Sequence, residues 1–264
     1  MATGPAAGNA GRPSIRAWLW RLAGCALLLW PAVRPAWAQQ EPPLRVLLVG
    51  NSYLYSNDLP RELTRQATGR HARLEVTLLA KPDYALSDHL RDGRLQRLLG
   101  QRWDWVVLQQ GPSALPASRD ALRASVQRID RLLPATSHTR LVLLSAWPQR
   151  QHAHRSKEAE TSYRLAAQAV GACVAPVASA WRLAREQAPE TPLYQRDGMH
   201  PTRLGTQLVA MTLLDALAIG SARPPAPLQG KADAPALEDW SSAAVAGEAA
   251  SCVSVPQARP WPAG

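Results

Sequence analysis

Apolar residues fall along this chain in short unbroken runs that alternate with amphipathic stretches. The first run, 44–49, is interrupted only by Arg45 and is stopped by Gly50. Residues 74–79 alternate apolar and polar. Residues 105–108 form a short apolar run that follows Asp104 and precedes Gly111-Pro112. Residues 141–146 end at Trp147-Pro148, and 172–177 follow Gly171. Short apolar runs bounded by turn residues predict strands. Between them, apolar positions recur with helical spacing in 59–68, 86–99, 121–133, 162–170 and 202–217. Strands that alternate with helices in this way predict the α/β class, here a parallel five-stranded sheet covered on both faces as a three-layer α/β/α sandwich. Reactive groups in such sheets gather at the carboxyl ends of the strands. That rule directs attention to 50–53, 81–86, 109–113, Trp147 and the turn before the last predicted helix.

The ends of the chain have a different character. Arg12, Arg16 and Arg21 precede an apolar run at 22–33, which is followed by Ala36-Trp37-Ala38. A positive region, an apolar core and a small-x-small site predict a signal sequence over 1–38, cleaved before Gln39, and so an exported, periplasmic or extracellular protein. The run is too short to cross roughly 30 Å of hydrocarbon as a helix, which leaves no integral membrane segment after cleavage. Leu22-Ala23-Gly24-Cys25 matches a lipoprotein box, but the apolar run follows Cys25 instead of preceding it. The predicted globular domain covers 39–220. Residues 221–264 are rich in Ala and Pro, without long periodic patterns, and read as an extended tail.

The 264 residues include 30 Lys+Arg and 20 Asp+Glu. Removing 1–38 takes away four Arg and no acidic residue, which leaves a net charge of +6. The arginines are scattered through predicted helices and no nucleic-acid motif accompanies them, which argues against a nucleic-acid partner. Cys173 and Cys252 remain after cleavage and lie in no CxxC pair. They could form one disulfide in an oxidising compartment or remain two thiols. His152 and His154 lie in a basic stretch and read as a solvated loop, because two histidines alone make a poor metal site. His89, on a helix, reads as structural. Neither a metal nor an organic cofactor is called for.

Candidate chemistry sits at both ends of the predicted domain. A small residue followed by Ser at a strand's carboxyl end, Gly50-Asn51-Ser52, exposes a hydroxyl above the sheet. Asp197 and His200, three apart in one turn, can bring a carboxylate against an imidazole, fixing its tautomer and freeing the other nitrogen to accept a proton. Each feature alone is commonly a turn or a cap. Tyr53, Tyr84, Trp147 and Met199 lie near strand ends and are candidate pocket walls.

Together these blocks resemble those of the SGNH hydrolases. Val49-Gly50-Asn51-Ser52 resembles the first block, with Asn51 where many members have Asp. Asp197-Gly198-Met199-His200-Pro201 resembles the last block, and Trp103–Gln109 the third-strand block in the branch that carries Gln there. The resemblance implies a flavodoxin-like SGNH hydrolase fold for the domain at 39–220, and a serine esterase acting through an acyl-enzyme on a short acyl or O-acetyl-sugar ester. In that reading Ser52 is the nucleophile, His200 the general base and Asp197 its orienting carboxylate. The oxyanion hole would use Ser52 N–H and the amide of Gln109, with Gln110 as the neighbouring alternative. The substrate walls would include Tyr53, Tyr84 and Trp147. The partner expected is a small-molecule or carbohydrate ester. The segment 81–86 lacks the Gly that the family usually places after strand two. An O-acyltransferase on cell-envelope sugars, or a weakly catalytic binding module on the same fold, are the alternatives.

Overall fold

The computed structural model describes residues 1, 3, 4, 42–220, 237–249 and 252. Apart from residues 1, 3 and 4, the predicted signal sequence, including Cys25 and the cleavage point, lies outside the described residues. Contacts divide the chain into Met1–Glu41 and Pro42–Gly264. Every described helix and strand lies in the second unit.

Five strands form one parallel sheet: β1 (Leu44–Gly50), β2 (Leu74–Ala80), β3 (Trp105–Leu108), β4 (Arg140–Leu144) and β5 (Cys173–Ala175). Their order across the sheet is β2-β1-β3-β4-β5. β3 and β5 are buried throughout, as their unbroken apolar runs require of strands covered on both faces. β2 lies at an edge and is only partly covered, in keeping with its alternating sequence.

The helices are α1 (Ser52–Tyr55), α2 (Leu59–Gly69), α3 (Leu86–Asp92), α4 (Arg94–Leu99), α5 (Pro116–Asp130), α6 (Ser156–Gln168), α7 (Val177–Gln187), α8 (Arg203–Ala216) and α9 (Leu237–Ala246). The chain steps from β1 outward to β2, then returns past β1 to β3 and onward. Because parallel crossovers are right-handed, this reversal sends helices to both faces and produces the three-layer α/β/α sandwich. It also opens a crevice at the carboxyl ends of β1 and β3, where the connections diverge. Among the described residues no helix is long and apolar enough to cross a membrane.

Three elements depart from the sequence reading. The helix predicted over 86–99 is two helices, because Gly93 takes a left-handed conformation (φ +77°) between α3 and α4. α7 follows directly on Pro176. Its buried face is largely alanine (Ala178, Ala180, Ala184) with Trp181, so apolar spacing hardly distinguishes it. The tail also contains a helix, α9, whose Leu237, Trp240 and Ala244 are buried at helical spacing.

Polar contacts lock that helix to the body. Trp240 Nε1 donates to Gln187 Oε1 at 2.8 Å. The Ser241 hydroxyl donates to Asp215, which also receives Arg70 at 2.5 Å. Arg164 makes a two-pronged ion pair with Glu248, both bonds at 3.0 Å. A Cys173–Cys252 disulfide then ties the tail to β5. Residues 221–236 and 253–264 lie outside the described residues.

The disulfide joins positions 79 apart in sequence, and closing a loop of that size restricts the unfolded chain by about 4 kcal/mol. Cys252→Ser is expected to lower the unfolding free energy by up to about that amount. Urea denaturation of the variant and wild type, each with and without reductant, checks this, and reductant should weaken only the wild type.

Candidate active site

β1 delivers its last residues to the crevice, and the local sequence dictates a tight turn there. A Cβ on Gly50 would lie 2.3 Å from Gln109 Oε1 and 2.7 Å from Leu54 Cδ1, so only glycine fits. The Gly50 carbonyl receives two hydrogen bonds, from Lys81 N–H at 3.3 Å and from His89 Nε2 at 2.8 Å. Asn51 then caps α1, its Oδ1 accepting from Tyr53 N–H at 3.2 Å. Its Nδ2 donates to the Tyr84 carbonyl at 3.3 Å. That second bond needs an amide, since an Asp carboxylate would face a carbonyl oxygen there, and it accounts for Asn at this position. Ser52 becomes the first residue of α1. Among the described residues nothing accepts a hydrogen bond from its N–H.

The second half of the site comes from the loop before α8. Tyr194 and Pro201 pair across an isolated antiparallel bridge, and Gln195 N–H donates to the His200 carbonyl at 2.8 Å. Gly198 makes the turn with φ +68°. Asp197 Oδ1 accepts from the N–H groups of Met199 (2.9 Å) and His200 (3.0 Å), while Oδ2 lies 2.6 Å from His200 Nδ1. His200 Nε2 lies 2.8 Å from Ser52 Oγ. A carboxylate, an imidazole and a hydroxyl from the two sequence blocks are thus joined in one relay. The Met199 N–H first, and then the His200 ring, hold the Asp197 carboxyl below the usual carboxylate range. It therefore stays charged and accepts from Nδ1–H, which leaves Nε2 as the acceptor for the serine proton.

Several groups outside the motifs hold the two halves in register. Asn57 Nδ2 donates to the Pro201 carbonyl (2.8 Å) and to Thr206 Oγ1 (3.0 Å), bracing the segment after α1 against the His200 loop. Trp147 Nε1 donates to the Met199 carbonyl at 3.1 Å. Arg150 N–H donates to the Gly198 carbonyl at 2.7 Å. No sequence signal marks Asn57 for this role; its left-handed backbone (φ 52°) and its bond to the His200 loop emerge only in three dimensions.

A cavity of about 910 Å³ opens beside Ser52, lined among others by Asn51, Tyr53, Tyr84, Gln110, Leu115 and Met199. Tyr53 and Tyr84 are therefore wall residues, and burial raises the Tyr53 hydroxyl well above its ordinary range. Trp147 is not a wall. It is fully buried, stacked between Tyr53 (4.7 Å) and Trp181 (4.1 Å), and supports the Tyr53 ring from beneath.

Gln109 is also corrected. It is fully buried, with Oε1 accepting from Asn51 N–H at 3.1 Å and Nε2 donating to the Gln110 carbonyl at 2.6 Å. It shapes the turn under Ser52 and does not line the cavity. Gln110 does, with Oε1 accepting from Leu86 N–H (3.2 Å) and Nε2 donating to Ser113 Oγ (2.8 Å). After β2, Asp83 adopts the left-handed conformation (φ +57°) that glycine takes at no steric cost, so the missing Gly is replaced in shape by an Asp, a residue that tolerates this region. His152 and His154, read as a solvated loop, lie on the cavity wall. Among the described residues no group of three or more His, Cys, Asp or Glu side chains is gathered as a metal site.

No family model matches this chain, and no curated protein matches it significantly. Solved structures do. A DUF4886 family protein from Bacteroides uniformis superposes with a TM-score of 0.58 at 17% identity, covering 77% of this chain and 93% of that one. A lipase/acylhydrolase from Enterococcus faecalis gives 0.55 at 16%, covering 69% and 98%. An acetyl xylan esterase from Geobacillus stearothermophilus gives 0.50 at 14%, covering 65% and 93%. These likenesses, all below 20% identity, show a shared fold, the three-layer α/β/α sandwich with its parallel sheet.

His89 offers a test of the scaffold. Burial pushes its imidazole below the ordinary value of 6.5, outweighing the Gly50 carbonyl and the nearby Asp92 and Asp88, which act in the opposite direction; Lys81 adds to the lowering. The unfolded chain therefore binds this proton more readily than the native state. Its contribution to stability is present above about pH 6.5 and is lost as pH falls below that value. His89→Gln should flatten this part of the stability curve, measured as the difference between urea unfolding profiles of variant and wild type from about pH 8 to about pH 5.

Proposed function

We propose that this protein is an exported serine esterase that forms an acyl-enzyme on Ser52. The observation that carries the reading is the 2.8 Å contact between Ser52 Oγ and His200 Nε2, with Asp197 on the other ring nitrogen. His200 takes the serine proton as Oγ attacks the ester carbonyl carbon, and then returns it to the departing alcohol. Water, activated by the same imidazole, releases the acyl group and restores the hydroxyl. The oxyanion of each tetrahedral intermediate is met by the free Ser52 N–H. The second donor is the remaining N–H of Gln110 Nε2, whose other contacts fix the amide at the cavity wall.

The solved neighbours include proteins described as a lipase/acylhydrolase and an acetyl xylan esterase, which supports ester hydrolysis. A 910 Å³ cavity supports a substrate larger than a simple acetate ester, with a carbohydrate or extended acyl portion beyond the reacting bond. Export is supported by the Ala36-Trp37-Ala38 site after an apolar run and by the Cys173–Cys252 disulfide, a bond that persists in oxidising compartments.

Ser52→Ala and His200→Ala should each abolish nearly all hydrolysis of p-nitrophenyl esters while keeping the native circular dichroism spectrum. The double variant should lose little more than either alone, because the two groups act as one unit. Asp197→Asn should lose up to about 10⁴-fold through the wrong tautomer. A fluorophosphonate probe should label wild type but not folded Ser52→Ala. Absence of labelling on folded wild type would favour a binding module over an esterase.

The export reading has its own check. Intact-mass measurement of protein from the cell envelope or medium should give a chain beginning at Gln39. A lipid-modified chain beginning at Cys25 would overturn it in favour of membrane anchoring.

A further inference from the structure

The cavity beside Ser52 is uneven in charge. The wall built by the 3₁₀ turn Arg150–Arg155, between β4 and α6, contributes His152, His154 and Arg155. The loop after β2, which the strand order puts across the β1/β3 crevice from the loop after β4, contributes the facing Asp83 and Tyr84, and Pro112, Leu115 and Met199 also line the cavity. Arg155 is half-buried. Arginines on α6 and α7 are satisfied by carboxylates: Arg164 holds Glu248 and Arg182 holds Glu160. Arg155, by contrast, pairs with no carboxylate among the described residues. A guanidinium carries five N–H donors in a planar fork that matches a carboxylate, and half-burial removes part of the water that would otherwise satisfy them. The two imidazoles stand edge to face 6.2 Å apart on the same wall, adding further donors.

From this arrangement we infer that the Arg155 wall is a binding site for a carboxylate carried by the ester substrate. The inference rests on the esterase reading and narrows it to esters with a negative charge remote from the bond cleaved. A cavity of 910 Å³ has room for such a group beyond the reacting carbonyl. One fixed cation flanked by imidazoles suits a monoanion. Asp83 on the facing wall repels additional negative charge and so favours a carboxylate over a phosphate dianion.

The test compares matched esters in wild type, Arg155→Ala, Arg155→Lys and Arg155→Glu. One pair places the acid on the acyl side, mono-p-nitrophenyl glutarate against p-nitrophenyl butyrate. The other places it on the alcohol side, para-acetoxybenzoate against para-acetoxytoluene. A para-acetoxyphenyl phosphate arm probes the dianion. The wild type is expected to favour the carboxylate member of at least one pair by about tenfold in kcat/KM, the scale of one charged hydrogen bond. The preference should vanish in Arg155→Ala, persist in part in Arg155→Lys and reverse in Arg155→Glu. A purely structural role for Arg155 would depress both members alike and leave their ratio unchanged. A ratio near one in both pairs for wild type, a preference untouched in Arg155→Ala, or a stronger preference for the phosphate would overturn the inference. Calorimetric titration of folded protein with glutarate monoanilide and uncharged butyranilide reads the same wall without turnover. Selective binding of the acid that is lost in Arg155→Glu supports the site even if no ester is hydrolysed, in which case the esterase reading alone fails. Equal binding of both anilides overturns the site.

Discussion

The reactive edge depends on how closely β1 approaches β3 at their carboxyl ends. With no side chain on Gly50, the Gln109 amide lies directly against the backbone and accepts the Asn51 N–H. That single contact turns the chain sharply enough to start α1 at Ser52. His89 and Lys81 N–H fill the Gly50 carbonyl from the other side, so the turn is held by β2, β3 and α3 together. The hydroxyl is presented by a backbone with little freedom to move, which is the condition for a nucleophile whose base sits on a separate loop.

The fold was legible because its strands are apolar throughout and end in turn residues, a pattern that a parallel sheet needs and that little else produces. The relay residues were legible as a pair, since Ser52 and His200 are ambiguous alone and specific together. The amide that faces the cavity was not. β3 ends at Leu108, so strand alternation no longer says which of Gln109 and Gln110 faces outward; that choice is made by Asn51 and Tyr163, residues distant in sequence. Trp147 misled for a related reason. Position at a strand end predicted a wall, but stacking on Trp181 drew it inward. His152 and His154 are exposed, as their basic stretch suggested, but a charged run in sequence carries no record of the cavity that they and Arg155 line. In the tail, alanine-rich composition hid the spacing of Leu237, Trp240 and Ala244.

Side-chain polar contacts repeatedly connect segments far apart in sequence. Asp215 on α8 joins Arg70 at the end of α2 to Ser241 on α9. Asn57 joins α1 to the start of α8. Tyr163, fully buried on α6, both accepts from the Gln110 N–H and donates to the Gln110 carbonyl. Such bonds add modest net stability, and the Tyr163–Gln110 pair, which is buried, is the costliest to break. They fix one arrangement of the helices around the sheet, and with it the distance between the two loops that meet at Ser52.

The bond between Cys173 and Cys252 also imposes an order of events on the growing polypeptide. A chain emerges from its amino end, so β5 is available for pairing long before its sulfur partner has been made. Until then Cys173 has no partner in residue 252, and the tail is not tied to β5. The sulfur seam therefore closes after the whole of the sheet has been made, and for an exported chain only once both cysteines have reached an oxidising compartment.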